Sequence, residues 1–208
     1  MAILFSPKEF AKLKDTLILY RCALRNMVAR VDTLQDDFEN LQKYNPIEHV
    51  KSRIKTPESI ARKLHRRNLA ITDNNVRKEL TDVAGLRCIC SYARDIPHIV
   101  DIFRGQPDIE ILREKDYIST RKESGYRSYH LIINVPIYLT DTTKIIPVEV
   151  QIRTQAMDFW ATLEHKVRYK YKNEIPPHIS YMLVQCADEI AKLDRRMYSI
   201  QEYVDTVY

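Results

Sequence analysis

The two ends of the chain carry apolar residues at heptad spacing, and this pattern constrains the fold more than any other feature of the sequence. Near each terminus apolar residues recur every seven positions in two sets, and such spacing places them on one stripe of a long helix. The sequence therefore predicts a long helix at each end. The N-terminal stripe contains Phe10, Leu13, Leu17, Tyr20, Leu24, Met27, Val31, Leu34, Phe38 and Leu41, and the C-terminal stripe contains Ile179, Leu183, Cys186, Ile190, Leu193, Met197, Ile200, Val204 and Val207.

Apolar stripes of this length need a surface that covers them. They can pack on the core of their own chain, on each other or on a second copy of the chain. Because an isolated helix cannot bury its own stripe, we expect a homo-oligomer formed through the terminal helices. A tetramer is favoured over a dimer, although the pattern itself is compatible with both.

Between these helical ends, runs of strand length alternate with helix start signals. This alternation predicts an α+β fold in which a mixed β-sheet is flanked by helices. We expect a helical segment at 1–45, a sheet-containing domain at 46–175 and a C-terminal helix at 176–208, together forming one unit. Strands are predicted at 86–92, 108–112, 129–135 and 146–153, and helices are predicted to begin near Thr56, Asp95 and Thr154.

Composition places the chain among globular proteins. Of the 208 residues 29% are charged and 45% are hydrophobic, and a net charge of +5 favours anionic partners such as nucleotides or RNA. The N-terminal apolar run is too short for a signal peptide, and no apolar run approaches the ~18 residues of a membrane span. We therefore expect a cytoplasmic protein without a membrane partner. The four cysteines lack CxxC spacing and are expected to be free thiols.

The strand predicted at 146–153 has one apolar and one polar face. Its even-numbered positions are apolar, and Glu149, Gln151 and Arg153 alternate with them. A hairpin turn near Asp141 and Thr142 would place this polar row beside His130 of the preceding strand. Taken by itself, the row is explained more simply as a solvated sheet face.

The segment 51–67 carries seven lysine or arginine residues and one acid. Because the chain contains neither a Walker A motif nor GxGxxG, side chains rather than a glycine-rich loop would hold any polyphosphate. Arg53, Lys55 and Lys63 are the candidates, and Ser59 lies one helical turn before Lys63. A solvated basic helix is the alternative.

Two carboxylates are suited to a divalent cation. Asp82 precedes a tight turn expected at Gly85, and Glu149 belongs to the polar row. Mg²⁺ takes few carboxylate oxygens and fills its other positions with water and phosphate oxygens. Asp82 and Glu149 therefore form a candidate Mg²⁺ site, although a cap on the turn explains Asp82 more simply.

The loop before the strand at 129–135 combines basic, aromatic and glycine residues. Gly125 is one of only three glycines in the chain, and its missing side chain permits a positive φ or a close approach to the backbone. Lys122 and Tyr126 flank this glycine, which suits a nucleobase with attached phosphates. A buried tyrosine at a strand end is the alternative.

Taken together, these motifs resemble the synthetase domain of the RelA/SpoT family, the (p)ppGpp synthetases. They are KSRIK followed by ESI and a lysine, DVAGLR, KDYI, KESGYRSYHL, VEVQIRT and AMDFWATLEHK, in the order of that family, over residues 46–172. The chain looks most similar to the stand-alone small alarmone synthetases of the RelP type. Nothing in it resembles the hydrolase domain of the long members, so degradation of the product is not expected.

The resemblance implies that pyrophosphate passes from ATP to the 3′-hydroxyl of GDP or GTP on a sheet similar to that of nucleotidyltransferases. Mg²⁺ is the implied cofactor, held by Asp82 and Glu149, and Glu149 would also accept the proton of the 3′-hydroxyl. The implied catalytic residues are Glu149, Asp82, Arg87 and His130. The implied ATP site contains Arg53, Lys55, Ser59, Lys63 and Arg87, with the arginines on either side of adenine. The implied GDP or GTP site contains Lys122, Tyr126, His130, Gln151 and Asp158, with Tyr126 stacked on guanine.

Some positions depart from the family pattern. Asp158 stands where some small synthetases carry Asn, and an ionised carboxylate cannot donate a hydrogen bond to guanine. The stretch PIEHVKS, with His49 and Lys51, differs from the allosteric site of RelQ-type relatives, so activation by the product is not expected. Two other functions stay open: a single-stranded RNA-binding module, suggested by the basic segment but not favoured, and a catalytically inactive oligomeric scaffold, suggested by the terminal helices.

Overall fold

A mixed five-stranded sheet forms the centre of the computed structural model, which describes residues 7–42, 44–171 and 174–207. The strand order is β1-β2-β5-β4-β3, with β2 parallel to β5 and the other neighbours antiparallel. The predicted α+β class is therefore confirmed. The strands are β1 (Ile47–Ile54), β2 (Ala84–Cys90), β3 (Glu110–Asp116), β4 (Tyr129–Tyr138) and β5 (Thr143–Thr154), and the helices are α1 (Pro7–Asp37), α2 (Pro57–His65), α3 (Asp73–Glu79), α4 (Asp95–Gly105), α5 (Gln155–Lys170) and α6 (Pro177–Val207), with a π-helical turn at Phe38–Gln42.

The two faces of β5 follow the alternation seen in the sequence. Val148, Val150 and Ile152 are fully buried, because β-branched side chains on one face of the strand pack into the core. The intervening side chains lie on the opposite face of the sheet, where the functional candidates collect. The hairpin to β4 turns at residues 139–142, with Tyr138 opposite Thr143, and this register brings His130 beside Gln151 as predicted.

Helix α1 covers the apolar face of the sheet and contacts β1, β2, β4 and β5. The helix buries its stripe on the sheet of its own chain. The prediction that this stripe needs a second copy of the chain to cover it is therefore wrong. Leu41, at the end of the pattern, is 76% exposed. The side chain of Phe10 and residues 1–6, 43, 172, 173 and 208 lie outside the described part. The buried stripe residues are Leu13, Leu17, Tyr20, Leu24, Met27, Val31 and Phe38.

Helix α6 behaves differently from α1. It packs on α5 and buries Ala187 and Ala191, whereas much of its heptad stripe stays at the surface. The exposed stripe residues are Leu193, Met197, Ile200, Val204 and Val207. Both terminal helices have 31 residues, yet within the described ranges no helix is both long and apolar enough to cross a lipid bilayer.

Two of the three predicted helix starts are capped as expected. The hydroxyls of Thr56 and Thr154 accept backbone hydrogen bonds at the starts of α2 and α5. The third helix also begins where it was predicted, at Asp95, but the Asp95 carboxylate does not cap it and instead accepts hydrogen bonds from Tyr44 and the backbone of Tyr92.

The basic segment 51–67 is not one helix. Its first four residues end β1, which pairs with β2, and only the part from Pro57 is helical. The turn predicted at Gly85 is also wrong, because this glycine lies inside β2. A Cβ at Gly85 would lie 3.5 Å from the Arg53 side chain, which is an ordinary van der Waals contact, so Arg53 lies across the neighbouring strand next to Gly85.

Candidate active site

The strand register gathers the predicted residues on one face of the sheet. Across β1, β2, β5 and β4, one row of neighbours runs through Lys51, Arg87, Gln151 and His130. The adjacent row runs through Arg53, Gly85, Glu149 and Ile132. Because residues in register on a sheet point to the same side, this face carries four cations or imidazoles around one carboxylate.

Asp82 lies in the turn before β2 and is held by two lysines. Lys55 Nζ lies 2.5 Å from its Oδ2 and Lys63 Nζ lies 2.8 Å from its Oδ1. Burial alone would raise the pKa of Asp82, but the hydrogen bonds and charges of Lys55 and Lys63 outweigh it and hold the pKa below the ordinary value. Asp82 is therefore ionised and neutralised within the chain. We refer to Lys55 and Lys63, together with the Asp82 carboxylate that they hold, as the lysine pair.

Glu149 is the carboxylate of β5 on the site face. Gln151 Nε2 donates to its Oε2 at 2.9 Å, and His130 Nδ1 lies 3.5 Å from its Oε1. Burial favours a raised pKa, yet His130 and Gln151 lower it below the ordinary value against the opposing charge of Asp82. The charge of Asp82 acts on the pKa of Glu149, so the two carboxylates influence each other electrostatically.

The loop before β4 is shaped by Gly125. Its φ is +89°, and a Cβ there would lie 2.6 Å from the Ala187 Cβ of α6. The predicted positive φ is thus confirmed, but the close approach is made by helix α6. The backbone N–H of Gly125 donates to the Lys122 carbonyl at 2.8 Å, and Lys122 N–H donates to the Tyr126 carbonyl. This turn fixes the positions of Lys122 and Tyr126 relative to each other.

Tyr126 and His130 touch each other and share neighbours. Tyr126 Oη lies 2.8 Å from His130 Nε2, and both rings meet Tyr117 edge to face. Lys122 Nζ lies 4.9 Å from the centroid of the Tyr126 ring. Arg153 also donates a hydrogen bond to the Tyr126 hydroxyl. The hydroxyl of Tyr126 therefore joins the arginine to the imidazole, whose Nδ1 faces Glu149.

Three cavities open on the site face within the described residues, and two of them lie beside Tyr126 and His130. The larger, of about 400 Å³, is within the range of nucleotide-sized pockets. Tyr126 lines this cavity, whereas His130 and Lys122 line the smaller one of about 220 Å³, so the predicted guanosine residues are divided between them. We define the arginine cavity by Arg53, Arg87, Tyr126, Gln151, Arg153, Ala161, Thr162, Glu164, His165 and Lys166, and the lysine cavity by Thr81, Arg113, Lys115, Tyr117, Lys122, His130, Ile132 and Glu149.

Two predicted residues lie apart from their expected partners. Ser59 sits in the first turn of α2, where Thr56 donates a hydrogen bond to its hydroxyl. Asp158, in the first turn of α5, pairs with Lys51 at 2.9 Å and with Arg87 at 2.8 Å, so its carboxylate lies on the side of the arginine cavity. Burial would raise the pKa of Asp158, but Lys51, Arg87 and Arg153 together hold it below the ordinary value.

Sequence reasoning missed the part that Arg153 plays at this site. It is 3% exposed, although it belongs to the polar row of β5, and it contacts both Tyr126 and Asp158. The alternation of β5 was the available signal, since it put Arg153 on the same face as Glu149. His165 of α5 was not among the predicted site residues, yet it is exposed and lines the arginine cavity.

The chain matches a known protein family. The region found in RelA/SpoT proteins matches residues 52–174 of this chain. Among curated proteins, the chain is 41% identical to the GTP pyrophosphokinase YwaC of Bacillus subtilis (strain 168), over 92% of this chain and 91% of that protein. It is 34% identical to the GTP pyrophosphokinase YjbM of the same organism, over 89% of this chain and 86% of that protein.

Solved structures give the same result for the fold. Small alarmone synthetase 1 from Bacillus subtilis, bound to its product pppGpp, superposes with a TM-score of 0.85 at 33% identity, over 92% of this chain and 97% of that one. Small alarmone synthetase 2 from Bacillus subtilis superposes with a TM-score of 0.84 at 38% identity, over 92% of this chain and 99% of that one. The agreement covers the sheet and both terminal helices.

Proposed function

The chain belongs to the family of RelA/SpoT proteins, and we propose that it is a GTP pyrophosphokinase. It transfers pyrophosphate from ATP to the 3′-hydroxyl of GDP or GTP, giving AMP and ppGpp or pppGpp. The observation that carries this proposal is the position of Glu149 on the polar face of the sheet, in register with Arg53 and Gly85, beside cavities lined by cations. Such a site positions two polyphosphates and neutralises their charge, which is most of what phosphoryl-type transfer needs.

In the proposed reaction the 3′-hydroxyl oxygen attacks the β-phosphorus of ATP. The bond between that phosphorus and the oxygen bridging to the α-phosphate breaks, and AMP leaves with the bridging oxygen. Glu149 accepts the hydroxyl proton. Its lowered pKa keeps it ionised near neutral pH, and the contacts from Gln151 and His130 fix the direction of its oxygens.

Mg²⁺ is the cofactor that we propose for this reaction, held by Asp82 and Glu149. In the described part of the chain no group of three or more His, Cys, Asp or Glu side chains is arranged for a metal ion, so the two carboxylates are the available ligands. They fit, because both are ionised, partly buried and mutually repelling. When bound, the ion supplies positive charge to the phosphate oxygens.

The two nucleotides are assigned to the two sides of Glu149. We place ATP at the arginine cavity, with adenine between Arg53 and Arg87 and its phosphates toward Lys55, Lys63 and the nearby Ser59. GDP or GTP lies at the lysine cavity, where Lys122 and His130 reach its phosphates. Two further residues complete this nucleotide site: Tyr126, in the wall between the cavities, and Gln151, beside Glu149. Asp158 holds Arg87 and does not face Lys122 or His130 in this proposal.

The test of this function is a product assay. The purified protein is incubated with ATP, Mg²⁺ and either GDP or GTP, and the nucleotides are separated by anion exchange. We expect AMP and the guanosine tetra- or pentaphosphate in equal amounts, and neither without the guanine nucleotide. ATP that stays intact with both guanine nucleotides would contradict the proposal, and salt-sensitive binding of single-stranded RNA by the same sample would then favour the RNA-binding alternative.

We also propose that the enzyme acts in the cytoplasm as a homo-oligomer, in the form of a tetramer. The exposed stripe of α6 supports this, since five apolar residues at heptad spacing form a seam for a second copy. Ile200→Asp in the middle of that stripe is expected to lower the mass measured by light scattering to that of a smaller species. Glu202→Asp, an exposed position off the stripe, is the control. An unchanged mass for Ile200→Asp would contradict the proposed interface.

A further inference from the structure

Arg153 is a buried arginine that has no role in the reaction described above. It is the penultimate residue of β5, and its side chain is 4% exposed. Burying a guanidinium is costly unless each donor finds a partner. Its contacts therefore reveal what the cation does.

The guanidinium of Arg153 is held from four directions. Nη2 donates to the Tyr126 hydroxyl and, at 2.8 Å, to Gln151 Oε1. Nη1 lies 3.3 Å from Asp158 Oδ1, and Nε donates to the Ser128 hydroxyl at 3.2 Å. In addition, Cζ lies 5.0 Å from the centroid of the Tyr126 ring. Arg153 thus joins the loop before β4 to β5 and to the first turn of α5. We call this group the arginine network.

We propose that Arg153 is a positioning residue for the guanine nucleotide, because it fixes the ring of Tyr126 and, through the tyrosine hydroxyl, the imidazole of His130. This inference rests on the proposed function. Arg153 does not touch the reacting atoms itself. It lines the arginine cavity, but it reaches the guanine-nucleotide site through Tyr126, His130 and Gln151, whose orientation it sets.

A purely structural role does not account for the contact pattern. Among the described residues Asp158 is the carboxylate that pairs with Arg153, and Arg87 and Lys51 share it, so three cations surround one anion. A charge compensated this poorly is not a good stabiliser of the core, and an apolar side chain of similar volume would serve at least as well. The directional bonds to Tyr126 and Gln151 are what an apolar residue cannot supply.

The contact of the Tyr126 hydroxyl with His130 sets the imidazole as well as the ring. Arg153 donates to that hydroxyl, and the same hydroxyl oxygen lies 2.8 Å from His130 Nε2. A lysine could not reproduce this arrangement, since its ammonium is a single point of charge and lacks the planar fork that reaches two acceptors at once.

The test compares Arg153→Gln, Arg153→Lys and Tyr126→Phe with a matched control, Ser128→Ala, which removes another partner of Arg153 away from the cavities. Steady-state KM values are measured separately for ATP and for the guanine nucleotide, and melting temperatures are recorded for all variants. We expect Arg153→Gln to raise the KM for the guanine nucleotide about tenfold or more, because the effect of losing one charge-assisted hydrogen bond is of this size. The KM for ATP should change less than about threefold. Arg153→Lys should not restore the wild-type value, and Ser128→Ala should leave both KM values near wild type.

Tyr126→Phe removes the hydroxyl and keeps the ring, and it leaves the buried charge in place. We expect it to raise the KM for the guanine nucleotide several-fold at an unchanged melting temperature, and Arg153→Gln should add little in that background. Full additivity of the two substitutions, or a guanine-nucleotide KM for Tyr126→Phe equal to that of wild type, would overturn the inference even if Arg153→Gln fails to fold. An inactive wild-type protein would instead overturn the proposed function, so the two failures are distinguishable.

Discussion

The lysine pair and the arginine network each hold a charged group inside the cleft, but they do so in different ways. In the lysine pair, one carboxylate is neutralised by two ammonium groups at the ends of flexible side chains. In the arginine network, one guanidinium is fixed by hydrogen bonds to four different side chains. Lysine is a point charge that is readily redirected, whereas arginine has a planar fork that holds geometry.

The difference indicates which side of the cleft rearranges when substrates bind. A cation at Asp82 would displace Lys55 and Lys63 from the carboxylate, and the freed ammonium groups would turn to the ATP phosphates. Around Tyr126 we expect no comparable exchange of partners when substrates bind. The side chains that hold Arg153 there are either neutral or, like Asp158, shared with other cations. We therefore infer that the ATP side is assembled on binding and that the guanine-nucleotide side is formed beforehand.

The largest expected effect lies where the two sides meet, at Glu149. Glu149→Gln keeps the shape of the side chain and removes the proton acceptor, so kcat should fall by about a thousandfold. Turnover is measured as AMP formation, and the melting temperature serves as the folding control. Undiminished turnover in Glu149→Gln would show that neither side of the cleft depends on this carboxylate.

A pair of matched substitutions separates the two sides. Lys63→Met should raise the KM for ATP by roughly 10- to 100-fold and leave the KM for the guanine nucleotide near wild type, because one charged contact to phosphate is lost. Lys122→Met should do the reverse. The same change of residue type thus tests each assignment against the other. If both variants raise the same KM, the division of the cleft into an ATP side and a guanine-nucleotide side is wrong.

A smaller effect is expected at Asp158, which compensates Arg153, Arg87 and Lys51. The pKa of Asp158 is lowered in the folded protein, so its contribution to stability is present above the unfolded carboxylate value of about 3.9 and is lost as the pH falls through the folded value. Asp158→Asn should lower the free energy of unfolding by about 1 to 2 kcal/mol at pH 7.

Denaturant unfolding at several pH values provides the check for Asp158. The difference between wild type and Asp158→Asn should shrink as the pH is lowered below about 4, because the carboxylate of the unfolded chain is protonated first, and it should vanish once the pH has passed the lower pKa of the folded protein. A difference that grows on acidification would mean that the charge of Asp158 does not stabilise the arginine network.

The terminal helices show how far the heptad pattern could be interpreted from the sequence. The spacing predicted both helices, but it could not distinguish a stripe that packs on a sheet from one that stays exposed. Leu24 and Met27 of α1 are buried against their own chain, while Leu193 and Met197 of α6 are exposed. Which outcome occurs depends on where the sheet lies relative to each helix, and that is a tertiary property.

The sequence indicated which candidate residues lie on the same face of the sheet, but not which of them contact each other. The alternation in β5 placed Glu149 and Gln151 correctly, and their register with His130 is confirmed. Strand β1 was not predicted, because its basic residues obscure the alternation of an edge strand. The row of neighbouring residues that joins Lys51 to Arg87 was therefore not predicted either. The pairing of Asp158 with three cations depends on contacts 71 and 107 residues apart in the chain, which no local pattern contains.

The central claim is that this cleft moves a pyrophosphate unit, and labelled ATP tests it most directly. Two reactions are run with GTP and Mg²⁺, one with ATP labelled at the β-phosphorus and one with ATP labelled at the γ-phosphorus, and the products are separated by anion exchange. The account predicts that both labels appear in the guanosine product and that AMP carries neither. A guanosine product labelled only from the γ-position, with ADP released, would mean that a single phosphoryl group is transferred and would contradict the account.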